Sequence, residues 1–155
     1  MRKLIDSRLM MILAASTLLT LGGASAALAT TGTGSQNQDF TVSVSAQSVG
    51  TPDPDVATVG DTVRVVLSVT NNKSFTLRFK PDDVQLRATL QTPFSEPNTI
   101  SFTISMFPGQ KLQLPFEYRV SGFIPRGTYS LTLDAIEVRD PAAPVSTATA
   151  TLSIV

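Results

Sequence analysis

Residues 99–120 read TISFTISMFPGQKLQLPFEYRV, and two rows within them decide the fold. Ile100, Phe102, Ile104 and Met106 alternate with Thr99, Ser101, Thr103 and Ser105. After Phe107-Pro108-Gly109-Gln110, Leu112, Leu114, Phe116, Tyr118 and Val120 alternate with Lys111, Gln113, Pro115, Glu117 and Arg119. Successive side chains of a strand point to opposite faces, so each row buries one face and wets the other. Pro115 has no N–H to donate, which places its strand at a sheet edge or a bulge.

The same period of two runs outward in both directions. Upstream, Phe40, Val42, Val44 and Ala46 form one row, and Val63, Val65, Leu67 and Val69 a second, in which only Val66 breaks the polar side. Phe75, Leu77 and Phe79 form a third, and Val84, Leu86, Ala88 and Leu90 a fourth. Downstream, Tyr129, Leu131 and Leu133 keep odd positions while Ile136 and Val138 take even ones, which predicts a β-bulge near Ala135. Ala148, Ala150, Leu152 and Ile154 make the last row. Turn chemistry separates the rows: Gly50 to Asp55, Asn71-Asn72-Lys73, Pro81 to Asp83, Pro93 to Asn98, Pro108-Gly109, Pro125-Arg126-Gly127 and Asp140 to Pro144. No stretch beyond the first thirty residues carries helical periodicity. Eight strands so punctuated predict an all-β, immunoglobulin-like antiparallel sandwich of seven to eight strands over residues 39–155, with a closed barrel as the other architecture.

The first residues follow a different grammar. Arg2, Lys3 and Arg8 precede an uncharged apolar run from Leu9 to Leu21, and Gly22-Gly23 ends it. Ala24-Ser25-Ala26 and Ala27-Leu28-Ala29 then offer two small-residue cleavage patterns, as in a secretory signal peptide. The run of thirteen residues is short for a bilayer span, which needs about 20. The expected division is therefore a signal peptide over 1–29, cut after Ala26 or Ala29, a flexible lead-in over 30–38, and the sandwich. Removing the leader leaves nine cations against eleven anions in 129 or 126 residues, enough for one domain. A secreted or periplasmic, cell-envelope location follows, with no membrane span once the leader is gone.

Composition narrows the function. The chain has no Cys, His or Trp, twelve basic against twelve acidic residues, and 15% charged residues against roughly 25% in an average domain. Thiol and imidazole chemistry, disulfides and sulfur- or imidazole-ligated metals are excluded. A neutral chain has no long-range field for nucleic acid, so no nucleic-acid partner is expected. Carboxylates remain. Asp53, Asp55 and Asp61 flank one loop, Asp82-Asp83 forms another, and Asp134, Glu137 and Asp140 close the seventh strand. None follows the spacing of a calcium loop, and turn formation accounts for them, so no metal, cofactor or catalytic residue is expected. Asn72-Lys73-Ser74 is a formal glycosylation acceptor and marks an exposed loop.

Three pieces together resemble bacterial immunoglobulin-like or fibronectin-like modules of the cell-adhesion-related type. They are Val59-Gly60-Asp61-Thr62-Val63 running to Val69-Thr70-Asn71-Asn72, then Pro108-Gly109-Gln110, then Pro125-Arg126-Gly127-Thr128-Tyr129. The resemblance implies the sandwich fold and a non-catalytic structural or interaction role at the cell envelope. Val69 to Phe79, with the same later turns, is also similar to the intracellular proteinase inhibitor family. The export signal and the hairpin that follows depart from that family, which makes inhibition through a rigid loop the second reading.

Two loops hold apolar residues without an evident partner: Gln91 to Asn98 with Phe94, and Ser121 to Arg126 with Phe123 and Ile124. They either close the open ends of the sandwich or form a binding edge, since Pro-fixed apolar side chains meet a partner at low entropic cost. The expected partner is a protein of the cell envelope, engaged through these loops or through a sheet edge that accepts a strand.

Overall fold

The computed structural model describes residues 32–33, 39–74 and 80–155. The signal peptide, most of the lead-in and the row Phe75 to Phe79 lie outside the described residues. The strands are β1 (Gly32–Thr33), β2 (Phe40–Val49), β3 (Val56–Ala57), β4 (Thr62–Asn71), β5 (Asp82–Thr92), β6 (Ser95–Met106), β7 (Lys111–Arg119), β8 (Gly127–Glu137) and β9 (Ser146–Ile154). Strands β2, β4 and β7 make one antiparallel sheet; the other runs β1-β9-β8-β5-β6, with β3 added in parallel to β9. Two sheets with separate ladders are a sandwich, so the barrel falls. Taking the seven long strands in chain order, the first, second and fifth share one sheet and the seventh, sixth, third and fourth the other. That is an immunoglobulin-like order in which the fourth strand pairs with the third on the sheet of the sixth and seventh.

The alternation seen in the chain builds the core. Phe40, Val42, Val44 and Ala46 of β2 face Leu131, Leu133 and Ala135 of β8 and Ala148, Ala150, Leu152 and Ile154 of β9, all buried. Burial of these aliphatic rows supplies the main driving force, since nothing cross-links the domain. Pro115 lies on β7, at the edge of the three-stranded sheet, where its missing donor faces no neighbour. The Phe107–Gln110 turn has Gly109 at φ 77° and closes with Gln110 N–H to Phe107 O at 3.0 Å. This is a type II turn, with Pro108 pre-set at its first central position.

Two expectations need correction. No bulge interrupts β8: its register against β9 is continuous from Gly127 to Ala135, and against β5 it runs unbroken to Glu137. The phase never changes, because the inward position after Ala135 is the buried Glu137, while Ile136 and Val138 belong to the outer face. An apolar count misses a buried carboxylate, and Glu137 is one because it has a cationic partner. The bulge lies elsewhere, between Leu90 and Thr92, opposite Asn98 and Ser95. Finally, Gln91 to Asn98 is no loop but the tip of the β5–β6 hairpin, with Pro93-Phe94 at its turn. Neither residue has positive φ. Such a turn does not match strand twist by itself, and the extra residue at Glu96-Pro97 takes up the mismatch. Gly32 and Thr33, placed in the lead-in, pair with Thr149 and Ala148 of β9.

Candidate functional site

The two ends of the sandwich differ in chemistry, and the sequence places that difference in the inward row of β2. This row shrinks along its length: Phe40, Val42, Val44, Ala46, Ser48. At the Phe40 end the interior is filled and sealed by a polar network. At the Ala46 end a gap remains.

The sealed end is organised by Lys73. Its Nζ lies 2.5 Å from Glu137 Oε1, 3.5 Å from Asp82 Oδ1 and 3.8 Å from Asp39 Oδ2, and 5.5 Å from the centre of the Phe40 ring. Asn71, fully buried, donates from Nδ2 to Asp82 Oδ2 at 3.2 Å and to Met106 O at 3.1 Å, and its Oδ1 accepts the Lys73 N–H at 3.0 Å. Ser146 Oγ donates to Phe40 O, tying β9 to β2 across the layers. Desolvation works to lower the pKa of Lys73. The hydrogen bond to Glu137 and the attraction of Asp82, Glu137 and Asp39 outweigh it, so the ammonium titrates above its ordinary value. Asp82 and Glu137, two of the carboxylates that looked like spare acids in the sequence, are thus committed to joining the sheets.

At the other end, Ala46, Val63, Val65, Leu90, Phe116, Tyr118, Val120, Ile124, Tyr129 and Leu152 are among the side chains around an apolar cavity of about 110 Å³ between the sheets. The Tyr129 hydroxyl donates to Pro125 O at 2.7 Å. A tyrosine at the start of the sixth long strand, bonded back to the preceding corner, is the tyrosine corner of immunoglobulin-like sandwiches. It pins the loop of Phe123 and Ile124, which also carries an Ile124 N–H bond to Ser121 O at 3.1 Å.

Of the three residues singled out in the sequence, Ile124 is half-buried and packs against the core, so it closes the end. Phe123 is 85% exposed and Phe94 63% exposed. The fold brings their loops to the same end. Gly127 has φ 140°, and a side chain there would meet Pro93, its Cβ coming within 2.5 Å of Pro93 Cγ. The absence of one lets the Pro93-Phe94 turn rest on the first residue of β8, four residues after Phe123. Val59, 56% exposed, sits beside Gly122 and extends the apolar surface. Val59 was missed because a single valine in a turn carries no periodic signal.

The acidic loop near this end is self-satisfied. Asp53 Oδ1 accepts the Asp55 N–H at 3.0 Å, and Asp61 Oδ2 accepts the Thr58 N–H at 2.7 Å and the Thr58 hydroxyl at 2.9 Å. The Thr58 bonds hold the Asp61 carboxyl below its ordinary pKa. Asn72 is exposed, and its N–H donates to Asp39 O at 2.7 Å. Among the described residues, no group of three or more acidic side chains is arranged to hold a metal ion, and no helix is long and apolar enough to cross a membrane.

No family model matches the chain, and no curated protein matches it either. Solved structures do. The CARDB domain of a Pyrococcus furiosus protein, solved in complex with di-metal ions, is 17% identical with a TM-score of 0.47, over 77% of this chain and 90% of that one. A Bordetella pertussis protein provisionally named ApaA is 15% identical with a TM-score of 0.43, over 75% and 94%. A Niemann-Pick type C2 protein from the Japanese carpenter ant is 9% identical with a TM-score of 0.44, over 80% and 97%. Overlap at this level transfers neither ligand nor activity. The comparisons lend nothing to the proteinase-inhibitor resemblance. The chain is similar to these proteins as one immunoglobulin-like β-sandwich is similar to others.

Proposed function

We propose that the chain is an exported, non-catalytic binding module of the cell envelope that grips a protein partner with one end of its sandwich. The observation that carries this reading is the exposure of Phe123 on a short loop fixed from within. Ile124 anchors it to the core, and Pro125 is held by Tyr129. An aromatic ring presented this way loses little entropy on contact, which is the property of an interface anchor. Phe94 and Val59 widen the surface at the same end. The absence of His and Cys from the sequence and the commitment of the carboxylates to turns and to Lys73 support a binding role over a catalytic one.

The test places a photo-crosslinking phenylalanine analogue at position 123 in the full chain, expressed in the cells that make it, with the same analogue at Phe107 as the opposite-end control. A discrete protein adduct from position 123 and none from 107 is expected. Equal adducts from both, or none from 123, refutes the reading. Mass measurement of the processed protein checks export, with Ala27 or Thr30 expected as the first residue.

A further inference from the structure

The cavity at the Phe123 end has a lining with almost nothing to offer water. Its walls are aliphatic and aromatic side chains from both sheets; the side-chain hydroxyls among them belong to Tyr118, Tyr129 and Ser130, and that of Tyr129 is spent on Pro125. A buried water needs two to four polar partners, and an apolar void large enough for water but without them stays dry or takes hydrocarbon. At about 110 Å³ the space is somewhat smaller than the ~150 Å³ apolar cavity that accepts benzene. Interiors are otherwise packed close to crystal density, so a gap of this size between the sheets is a specific feature of the fold. Its cause lies in the chain: the small residues Ala46 and Ala150 both line the gap, whereas the inward row of β2 begins with Phe40 at the opposite end.

Three features distinguish the site from a packing defect. It lies between the sheets and extends to the end where the exposed Phe123 and Val59 continue the apolar surface outward. The loop that borders it is fixed by the Tyr129–Pro125 bond, with Ile124 forming part of the wall. The lining contains no charged side chain, so burial of apolar surface and not a charged group sets the selectivity.

We infer that this cavity is a binding site for the terminal hydrocarbon of a single aliphatic chain, which enters between the sheets with its polar end left in solvent. Recognition is by burial of methylenes, and head-group charge does not matter. The site adjoins the protein-binding surface proposed above, because Ile124 lines it and anchors the Phe123 loop, while Phe123 and Phe94 lie outside the lining.

The protein provides its own probe. Its only two tyrosines, Tyr118 and Tyr129, both line the cavity, and it has no tryptophan. Tyrosine emission of the processed full-length domain is therefore followed while n-alkanols from butanol to decanol are added. A saturable, one-to-one change is expected. Affinity should climb about fourfold for each added methylene and then level off where the chain outgrows the cavity. Decanoic acid should bind like decanol.

Ala150→Leu, which fills the space, should weaken decanol binding about tenfold or more while the protein still melts cooperatively. Val63→Phe serves where Ala150→Leu does not fold. Phe94→Ser/Val59→Ser, made in the chain that carries the crosslinking analogue at position 123, should keep decanol binding while losing the partner adduct, which separates this inference from the proposed function. Absence of a saturable tyrosine change overturns the inference. So does undiminished binding in both filled variants, binding of benzene without chain-length dependence, or binding to phosphatidylcholine vesicles without binding of monomeric decanol.

Discussion

Replacing Lys73 by Met tests how the sealed end is held together. The substitution keeps most of the side-chain volume over Phe40 and removes the cation from among three carboxylates. Glu137 and Asp82 retain only 9% and 12% side-chain exposure, so two anions would be left facing each other with little water. Breaking a buried pair by removing one partner costs about 3–5 kcal/mol. Two observations reduce that figure here: Arg139 Nη1 remains 3.8 Å from Asp82 Oδ1, and Lys73 itself is 24% exposed. The expected loss is about 2–3 kcal/mol.

Urea unfolding of the processed protein reads this as a midpoint lowered by roughly 1–2 M at an unchanged slope of about 1–3 kcal/mol/M. Lys73→Met/Glu137→Met should recover most of the loss, because a well-packed apolar pair often replaces a buried ion pair at no cost. The dependence on pH has a definite sign. The native pKa of Lys73 lies above its unfolded value, so its contribution is complete below the ordinary lysine value of 10.5 and declines as pH rises through the native one. The gap between wild type and Lys73→Met should be constant near neutrality and close above that point. A loss under about 0.5 kcal/mol, the range of ordinary surface changes, refutes the argument that this network holds the sheets together.

Three further substitutions probe the other end. Gly127→Ala should destabilise by about 2–4 kcal/mol, since it combines a strained φ with a Cβ placed on Pro93, and hydrogen exchange at Thr92 and Ser95 should rise with it. Tyr129→Phe removes the corner hydrogen bond and should cost about 1 kcal/mol in a thermal or urea melt, with the Phe123 loop becoming more protease-sensitive. Ser48→Ala should raise stability by about 1 kcal/mol, because its buried hydroxyl has no hydrogen-bond partner among the described residues. A melting temperature lowered by Ser48→Ala would show that the hydroxyl is satisfied in solution.

Strand identity was legible because a period of two survives in the side chains themselves. The rows at 40–46, 63–69, 84–90, 100–106, 112–120 and 148–154 became β2, β4, β5, β6, β7 and β9 with the expected faces inward. Pro115 announced an edge for the same local reason: one missing donor rules out a central position. The reading failed at Glu137, where apolar periodicity was the wrong measure. Whether a carboxylate can occupy a core position depends on a cation, and Lys73 lies 64 residues away in sequence. It failed again at Gln91 to Asn98, where prolines suggested a loop, but Pro93 occupies the hairpin turn and Pro97 lies at the bulge.

The amino-acid sequence by itself determined the fold class, the positions of the strands and the chemistry the chain lacks, because these follow from residue type and nearest-neighbour alternation. Only the tertiary structure decided what the two ends of the sandwich are. Pairing β2 with β4 and stacking them on β8 and β9 gathers Lys73, Asp82 and Glu137 at one end and Ala46, Ala150, two tyrosines and the Phe123 loop at the other. Those groupings are sums over distant segments, and no local pattern encodes a contact whose partners meet only when the layers close.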